Sequence, residues 1–320
     1  VEKTIEAILT DLPRPTWDAS LSSMWAINNF PGLNDFCMAS RRMGFSMVEL
    51  NHQVDSHMLD GIERSQYRFS SLHAPCPADI SEAELKARDW LVSSLEEDNR
   101  IQGVRAITRT IDLAQELGAR DVIVHCGNVN MSFSPENELR QLFVQGQMDS
   151  PRFQELRHRI LVERAARAPA HLEAVRRSLV ELAEYSSRLG VRLGLENRYH
   201  LYNIPIPDEM AWLLEALNPD VTGFWYDVGH AQALDRLGIF PHETWLERFN
   251  HRLIGVRFHD VRGIDDHYAP GLGEVDWSLP ARYLPQGIIR TLEVKPHNTP
   301  REVISGITRL VEAGLVYHEK

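Results

Sequence analysis

The chain has 320 residues, 43% of them apolar and 25% charged, with a formal net charge of −11. That balance belongs to a globular protein with a sizeable core, and the length allows one large domain or two ordinary ones. The acidic total argues against nucleic acid, whose phosphates usually demand a basic footprint, and no apolar run reaches the roughly 20 residues that span a bilayer.

The opening "VEKTIEAILTDLPRP" has no basic stretch, apolar centre or small-residue cleavage site, so no leader is expected within it. Residues 1–19 read as an N-terminal extension. Leu21–Ala26 is the first candidate strand. "DFCMASRRMG" then has helical apolar spacing and reaches a Gly before "FSMVELN", which supplies strand Ser46–Leu50; Arg68–His73 follows. In "AITRTIDLAQELG", together with the Val104 just before it, Val104, Ile107, Ile111, Ala114 and Leu117 make one helical face. Gly118 fits the left-handed position after that helix, and Asp121–His125 is the fourth strand. Residues 127–168 read as an insertion on the catalytic rim, because the helical stretch "RFQELRHRILVERAARA" runs up to Pro169. Proline is expected to begin the next helix rather than lie inside one. "SLVELAEYSSRLG" leads into strand Arg192–Glu196, and Gly223–Asp227, Ile254–His259 and Ile289–Val294 complete the set. Val303, Ile304, Ile307, Leu310 and Val311 repeat the helical spacing before Gly314.

Eight short apolar runs separated by helix-length segments predict parallel strands joined by crossovers. The expected fold is α/β, a (β/α)8 TIM barrel over residues 20–320. A doubly wound open sheet is the alternative, but no glycine-rich nucleotide turn follows an early strand, and "GLGEV" at 271–275 lies in the wrong context. Cys37, Cys76 and Cys126 lack CxxC spacing, which suggests neither a disulfide framework nor a cysteine zinc site; a reducing cytoplasm is the expected compartment.

Catalytic residues of such barrels stand at the C-terminal ends of the strands. There the sequence has Glu49, His73, His125, Glu196, Asp227 with His230 beyond, His259–Asp260 and Glu293. Singly, each has an ordinary explanation: a histidine satisfied by hydrogen bonds, a glutamate paired with a base, or Asp227 as a helix N-cap. Together they concentrate negative charge on one rim, which a divalent cation would neutralise with the carboxylate and imidazole ligands that zinc or manganese accepts.

The motifs "LGLENR", "YDVGHAQ", "HDV", "DHYAPGLGEVDW" and "TLEVKP" stand in the order and spacing of the xylose-isomerase-like TIM-barrel superfamily, which this chain resembles over residues 20–315. That superfamily holds sugar and sugar-phosphate isomerases and epimerases, and also apurinic endonucleases resembling endonuclease IV. The resemblance implies one divalent metal (manganese, cobalt, magnesium or zinc) on Glu196, Asp227, His259 and Glu293, with His230 on the substrate. For endonuclease-like members it implies up to three zinc ions, with His73, His125, His230, Asp265 and His267 as further metal or substrate contacts. One departure stands out. Where the family has an H-x-H-D segment this chain reads "VRFHD", placing Arg257 at the first histidine and leaving His259 the second. Residues 257 and 259 point to one face of a strand, so His259 could serve as the ligand. Otherwise Arg257 brings a permanent cation that stands in for a metal charge or binds a phosphate or carboxylate.

The expected chemistry is isomerisation or epimerisation beside a carbonyl, with the metal stabilising an enediolate and Glu196 and Glu293 moving the proton. Glu49, Asn197, Arg198 and Arg257 are the expected contacts to a small sugar or sugar phosphate. Relatives that use the same groups as dehydratases or lyases leave the subtype open, and many relatives pair into homo-oligomers. Two other readings remain: a zinc-dependent apurinic phosphodiesterase, and a metal-poor sugar-binding barrel without turnover.

Overall fold

A parallel strand buried on both faces favours apolar residues, and most of the short runs of this chain follow that rule. In the computed structural model, which describes residues 16–27 and 29–319, eight of them close into a barrel. The strands are β1 (Trp17–Ser22), β2 (Phe45–Leu50), β3 (Phe69–His73), β4 (Asp121–Val124), β5 (Arg192–Glu196), β6 (Thr222–Asp227), β7 (Leu253–Phe258) and β10 (Ile289–Leu292). Each lies parallel to its neighbours in that order, and β10 closes on β1 through Thr291–Ser20 and Leu292–Leu21. Between β7 and β10, β8 (Asp260–Arg262) and β9 (Asp265–Tyr268) form an antiparallel hairpin that the sequence did not announce. The fold is the expected (β/α)8 barrel, with a large helical insertion after the fourth strand.

Seven strands lie within two residues of their expected bounds; the first does not. The sequence places the first strand at Leu21–Ala26, but the strand is Trp17–Ser22 and Ser23–Ala26 is a 3-10 turn capped by the Ser22 hydroxyl. The lumen-facing residues of β1 are serines, which hid it: Ser20 Oγ lies 2.7 Å from Thr291 Oγ1, and Ser22 donates to Glu293 Oε1 at 3.2 Å. Residues 1–15 of the N-terminal extension lie outside the described residues, while Trp17–Ala19 belong to β1.

The insertion holds the helix Ser134–Val144 and the first half of a 39-residue helix, Pro151–Leu189. Pro169 lies inside that helix, against expectation. The ring removes one backbone donor and crowds the preceding turn, at a cost of about 3 kcal/mol. Buried side chains on both flanks offset this. Arg164 pairs with Glu209 and donates to the Leu201 and Asn203 carbonyls, while His171 Nδ1 donates to the Ser93 carbonyl at 2.7 Å. The helix ends at Gly190, and helix Glu97–Leu117 at Gly118; both glycines have the left-handed φ, 68° and 70°, which was predicted at Gly118.

Side chains alternate along each strand, and this parity builds the lumen in layers. Trp225 fills one layer: a Cβ on Gly194 would come within 2.8 Å of its ring and one on Gly255 within 2.2 Å. Two residues further along the same three strands are Glu196, Asp227 and Arg257. The tryptophan is therefore the floor on which the polar rim rests.

Candidate active site at the barrel mouth

Arg257 is the hub of this rim. Its Nη2 lies 2.8 Å from Glu49 Oε1, and its Nη1 lies 2.7 Å from Glu196 Oε1 and 3.5 Å from Glu293 Oε2. All four side chains are buried, so the ions are solvated by one another rather than by water. Burial pushes Glu196 up, but Arg257, then Arg198 and a hydrogen bond with His125, outweigh it and hold the carboxyl well below its ordinary range. Glu293 goes the other way. Burial raises it well above the ordinary range; Arg257 opposes this, while Glu49, Glu196 and Asp227 add to it.

Beside Glu196 stands a group of imidazoles. His73 Nε2 and His125 Nε2 are 2.6 Å apart, and His125 Nε2 is 2.9 Å from Glu196 Oε2. Behind them His52 Nδ1 meets His73 Nδ1 at 3.2 Å, and Glu82 Oε1 accepts from His125 Nδ1 at 2.9 Å.

Asp227 ends β6 and caps the helix Val228–Arg236, its Oδ1 accepting the backbone N–H of His230 at 2.8 Å. The N-cap reading was therefore correct, and it does not exclude a second role. The same Oδ1 accepts from His259 Nε2 at 2.9 Å, while Oδ2 is buried without any partner. His230 Nδ1 donates to the Asn197 carbonyl at 3.0 Å, which leaves its Nε2 lone pair facing the rim. His267 has a left-handed φ of 63°, rare for a residue with a side chain, and its ring stacks on His259 with centroids 4.0 Å apart. Burial holds His52, His230, His259 and His267 down to about 4, and His73 well below its ordinary range, so these rings are neutral, and His230 Nε2 keeps its lone pair free.

Three groups bring their ligand atoms within 4.8 Å of one another: His73–His125–Glu196, Glu196–Asp227–His230 and His230–His259–His267. Glu196 and His230 link them into one chain. The orphaned Asp227 Oδ2 and the free Nε2 of His230 are what a divalent cation requires of this donor set, and the residues fit one. The expected quartet does not come together as drawn. Glu293 enters none of the three groups, being engaged with Arg257. His259 has both ring nitrogens occupied, Nδ1 accepting the His267 N–H at 3.0 Å.

Other expected residues move too. Asp265 is turned outward to Lys295 and the Tyr268 hydroxyl, and its neighbour Asp266 faces the site, 3.7 Å from His267 Nε2 and 4.0 Å from His230 Nε2. The Asn197 amide binds the backbone of Asp227 rather than pointing into the mouth. Glu49 is sealed beneath Arg257 and Ser71, and Arg198 lies against Glu196. Sequence reasoning missed His52, Glu82 and Asp266. The doubled "DDH" was a signal for the last; nothing near Glu82 pointed to the rim.

The family description "Xylose isomerase-like TIM barrel" matches residues 39–306. The chain belongs to this family. An uncharacterized protein of Sinorhizobium fredii (strain NBRC 101917 / NGR234), y4fM, is 26% identical over 240 residues, 74% of this xylose isomerase-like chain. The match spans only 60% of that relative. Among solved structures, a D-tagatose 3-epimerase-like protein aligns over 92% of this chain and 96% of its own, with 19% identity and a TM-score of 0.65. The IOLI protein with a binding zinc atom aligns over 93% and 97%, with 12% identity and a TM-score of 0.63. At such identities the likeness to xylose isomerase-like neighbours is one of fold. No helix among the described residues is long and apolar enough to cross a membrane.

Proposed function

We propose that the chain is a metal-dependent isomerase or epimerase of a sugar or sugar phosphate, acting on the carbon beside a carbonyl. The observation that carries this reading is a pair of buried carboxylates that share Arg257 Nη1, Glu196 at 2.7 Å and Glu293 at 3.5 Å, in surroundings that push Glu196 down and Glu293 up. A pair pushed apart in this way is an acid and a base ready for their roles. Glu196 takes the proton from carbon, and Glu293 returns one. Glu196, Asp227 and His230 would hold a divalent cation, with His259 and His267 beside them. Bound there, it supplies the positive charge that stabilises the anion left on the substrate oxygens. Arg198 and His125 hold Glu196 in its charged form, and Asn197 fixes the backbone that carries Asp227.

The zinc-bearing neighbour and the epimerase-like neighbour of the same fold support this chemistry without naming the sugar. The test is solvent-deuterium incorporation into a panel of keto-sugars with manganese supplied. Deuterium-labelled product should be lost in Glu293→Gln, while exchange into the starting sugar through Glu196 persists and far-UV circular dichroism is unchanged. Labelled product formed by the variant sinks the assignment.

The chain of three ligand groups favours one alternative, zinc-dependent cleavage of a phosphodiester at abasic sites, because several linked sites suit that reaction. Nicking of an abasic duplex with zinc supplied would support it. A cytoplasmic setting is proposed on the free, buried Cys37, Cys76 and Cys126, and a homo-oligomer on the habit of the family.

A further inference from the structure

Arg257 takes its three carboxylates from three different strands, Glu49 on β2, Glu196 at the end of β5 and Glu293 just past β10. A guanidinium only donates, so each oxygen that faces it gives one of its lone pairs to the arginine and is a poorer ligand for a metal ion. The two oxygens of Glu196 are thereby divided. Oε1 faces Arg257 at 2.7 Å, and Oε2 faces His125 at 2.9 Å. No close group of ligand atoms among the described residues contains Glu49 or Glu293, and every one of them lies on the imidazole side of Glu196. A guanidinium and a divalent ion also repel, most strongly where both are dry. Without the arginine, three buried carboxylates would converge on one point with no counter-charge, which is an oxygen-only site of the kind that hard divalent cations take.

We infer that Arg257 is a built-in cation occupying the place of one divalent ion, which confines metal to the imidazole-rich half of the mouth and leaves Glu293 free of it. The inference rests on the reading of this rim as a metal site. It differs from the quartet that the family motifs imply, because Glu293 becomes a proton carrier and ceases to be a ligand.

The test is calorimetric titration of the chelator-treated full chain with Mn2+. Arg257→Met should bind one more Mn2+ per chain than wild type, and Arg257→Lys, which keeps the charge, should bind the wild-type number. Equal stoichiometry and affinity in wild type and Arg257→Met would overturn the inference. Should Arg257→Met fold poorly without metal, Glu293→Gln decides the matter independently. It should keep the wild-type ion count, whereas a lost equivalent, or a loss beyond the about 10–100-fold that follows removal of a mere partner of a ligand, would also overturn it. Wild type binding no Mn2+ while Arg257→Met binds one would refute the metal-dependent function and uphold the role of Arg257.

Discussion

Asn197 and Asp227 are clasped together: the Asn197 amide donates to the Asp227 carbonyl at 2.8 Å and accepts the Asp227 N–H at 2.7 Å. The Asn197 carbonyl in turn receives His230 Nδ1–H. One asparagine on β5's end thus sets the position of the carboxylate and the orientation of the imidazole that follow β6. Asn197→Ala would leave two backbone groups unpaired in a dry interior, at about 1–3 kcal/mol for each. Mn2+ affinity should fall about 10–100-fold, as it does when the partner of a metal ligand is removed. Urea unfolding and Mn2+ titration read the two effects, and an unchanged affinity would show that Asn197 positions nothing the metal needs.

Gly229, between Asp227 and His230, carries the His259 ring against its Cα. A Cβ there would lie 2.0 Å from His259 Cε1 and 2.3 Å from Nδ1. The ring is fully buried and has nowhere to go. Gly229→Ala should therefore cost about 1–3 kcal/mol in stability, as overpacking does, and should break the His267 N–H bond to His259. Thermal unfolding with the metal titration checks it. A variant as stable and as metal-competent as wild type would contradict the packing described.

His242 offers a pH test away from the mouth. It is buried between the Tyr226 hydroxyl, which donates to Nε2, and Gln232, whose Oε1 accepts from Nδ1 at 3.0 Å. Burial pushes it down to about 4, against the weaker pull of Asp276 and Glu243. In the unfolded chain the ring titrates near 6.5, so between about 6.5 and 4 the unfolded state binds more protons and stability is lost as the pH is lowered. The full slope is about 1.4 kcal/mol per pH unit for one such group. His242→Gln removes it, so the stability gap between wild type and variant should narrow by about 1–2 kcal/mol from pH 7 to pH 5. A gap that stays constant in urea unfolding at both pH values would refute a neutral, buried His242.

Arg164 and Glu209 form a buried pair, each within reach of the loop after β5. Arg164→Met strands the carboxylate and should destabilise the chain by about 3–5 kcal/mol. Arg164→Met with Glu209→Leu should recover part of this, since the charge is no longer left alone. Full recovery would mean that the bonds to the Leu201 and Asn203 carbonyls contribute nothing.

The strand ends were legible because the chemistry of a parallel barrel is written in period two. An apolar run closing on Glu196, Asp227 or His125 gave both the strand and the residue that faces the mouth. β1 escaped because its lumen residues are serines, and polarity in the lumen looks like a loop. Pro169 misled because its cost is local, whereas Arg164 and His171 that offset it act across the fold. The partners of Arg257 were not legible either. Which carboxylates a guanidinium reaches depends on the register between strands more than half the chain apart, as with Glu49 and Arg257.

The helix Pro151–Leu189 forms part of the barrel's outer wall and also secures its mouth. Arg164 holds the carbonyls of Leu201 and Asn203, Arg167 that of Asn130, and His171 accepts the Asn130 N–H. The loops after β4 and β5 are lashed to a single rod about 58 Å long, at 1.5 Å per residue. Neither loop can swing without bending that rod or breaking its lashings, so this flank of the entrance behaves as masonry. The hairpin β8–β9, which carries His267 against His259, takes no hydrogen bond from that rod among the described residues and is the part of the rim free of this restraint.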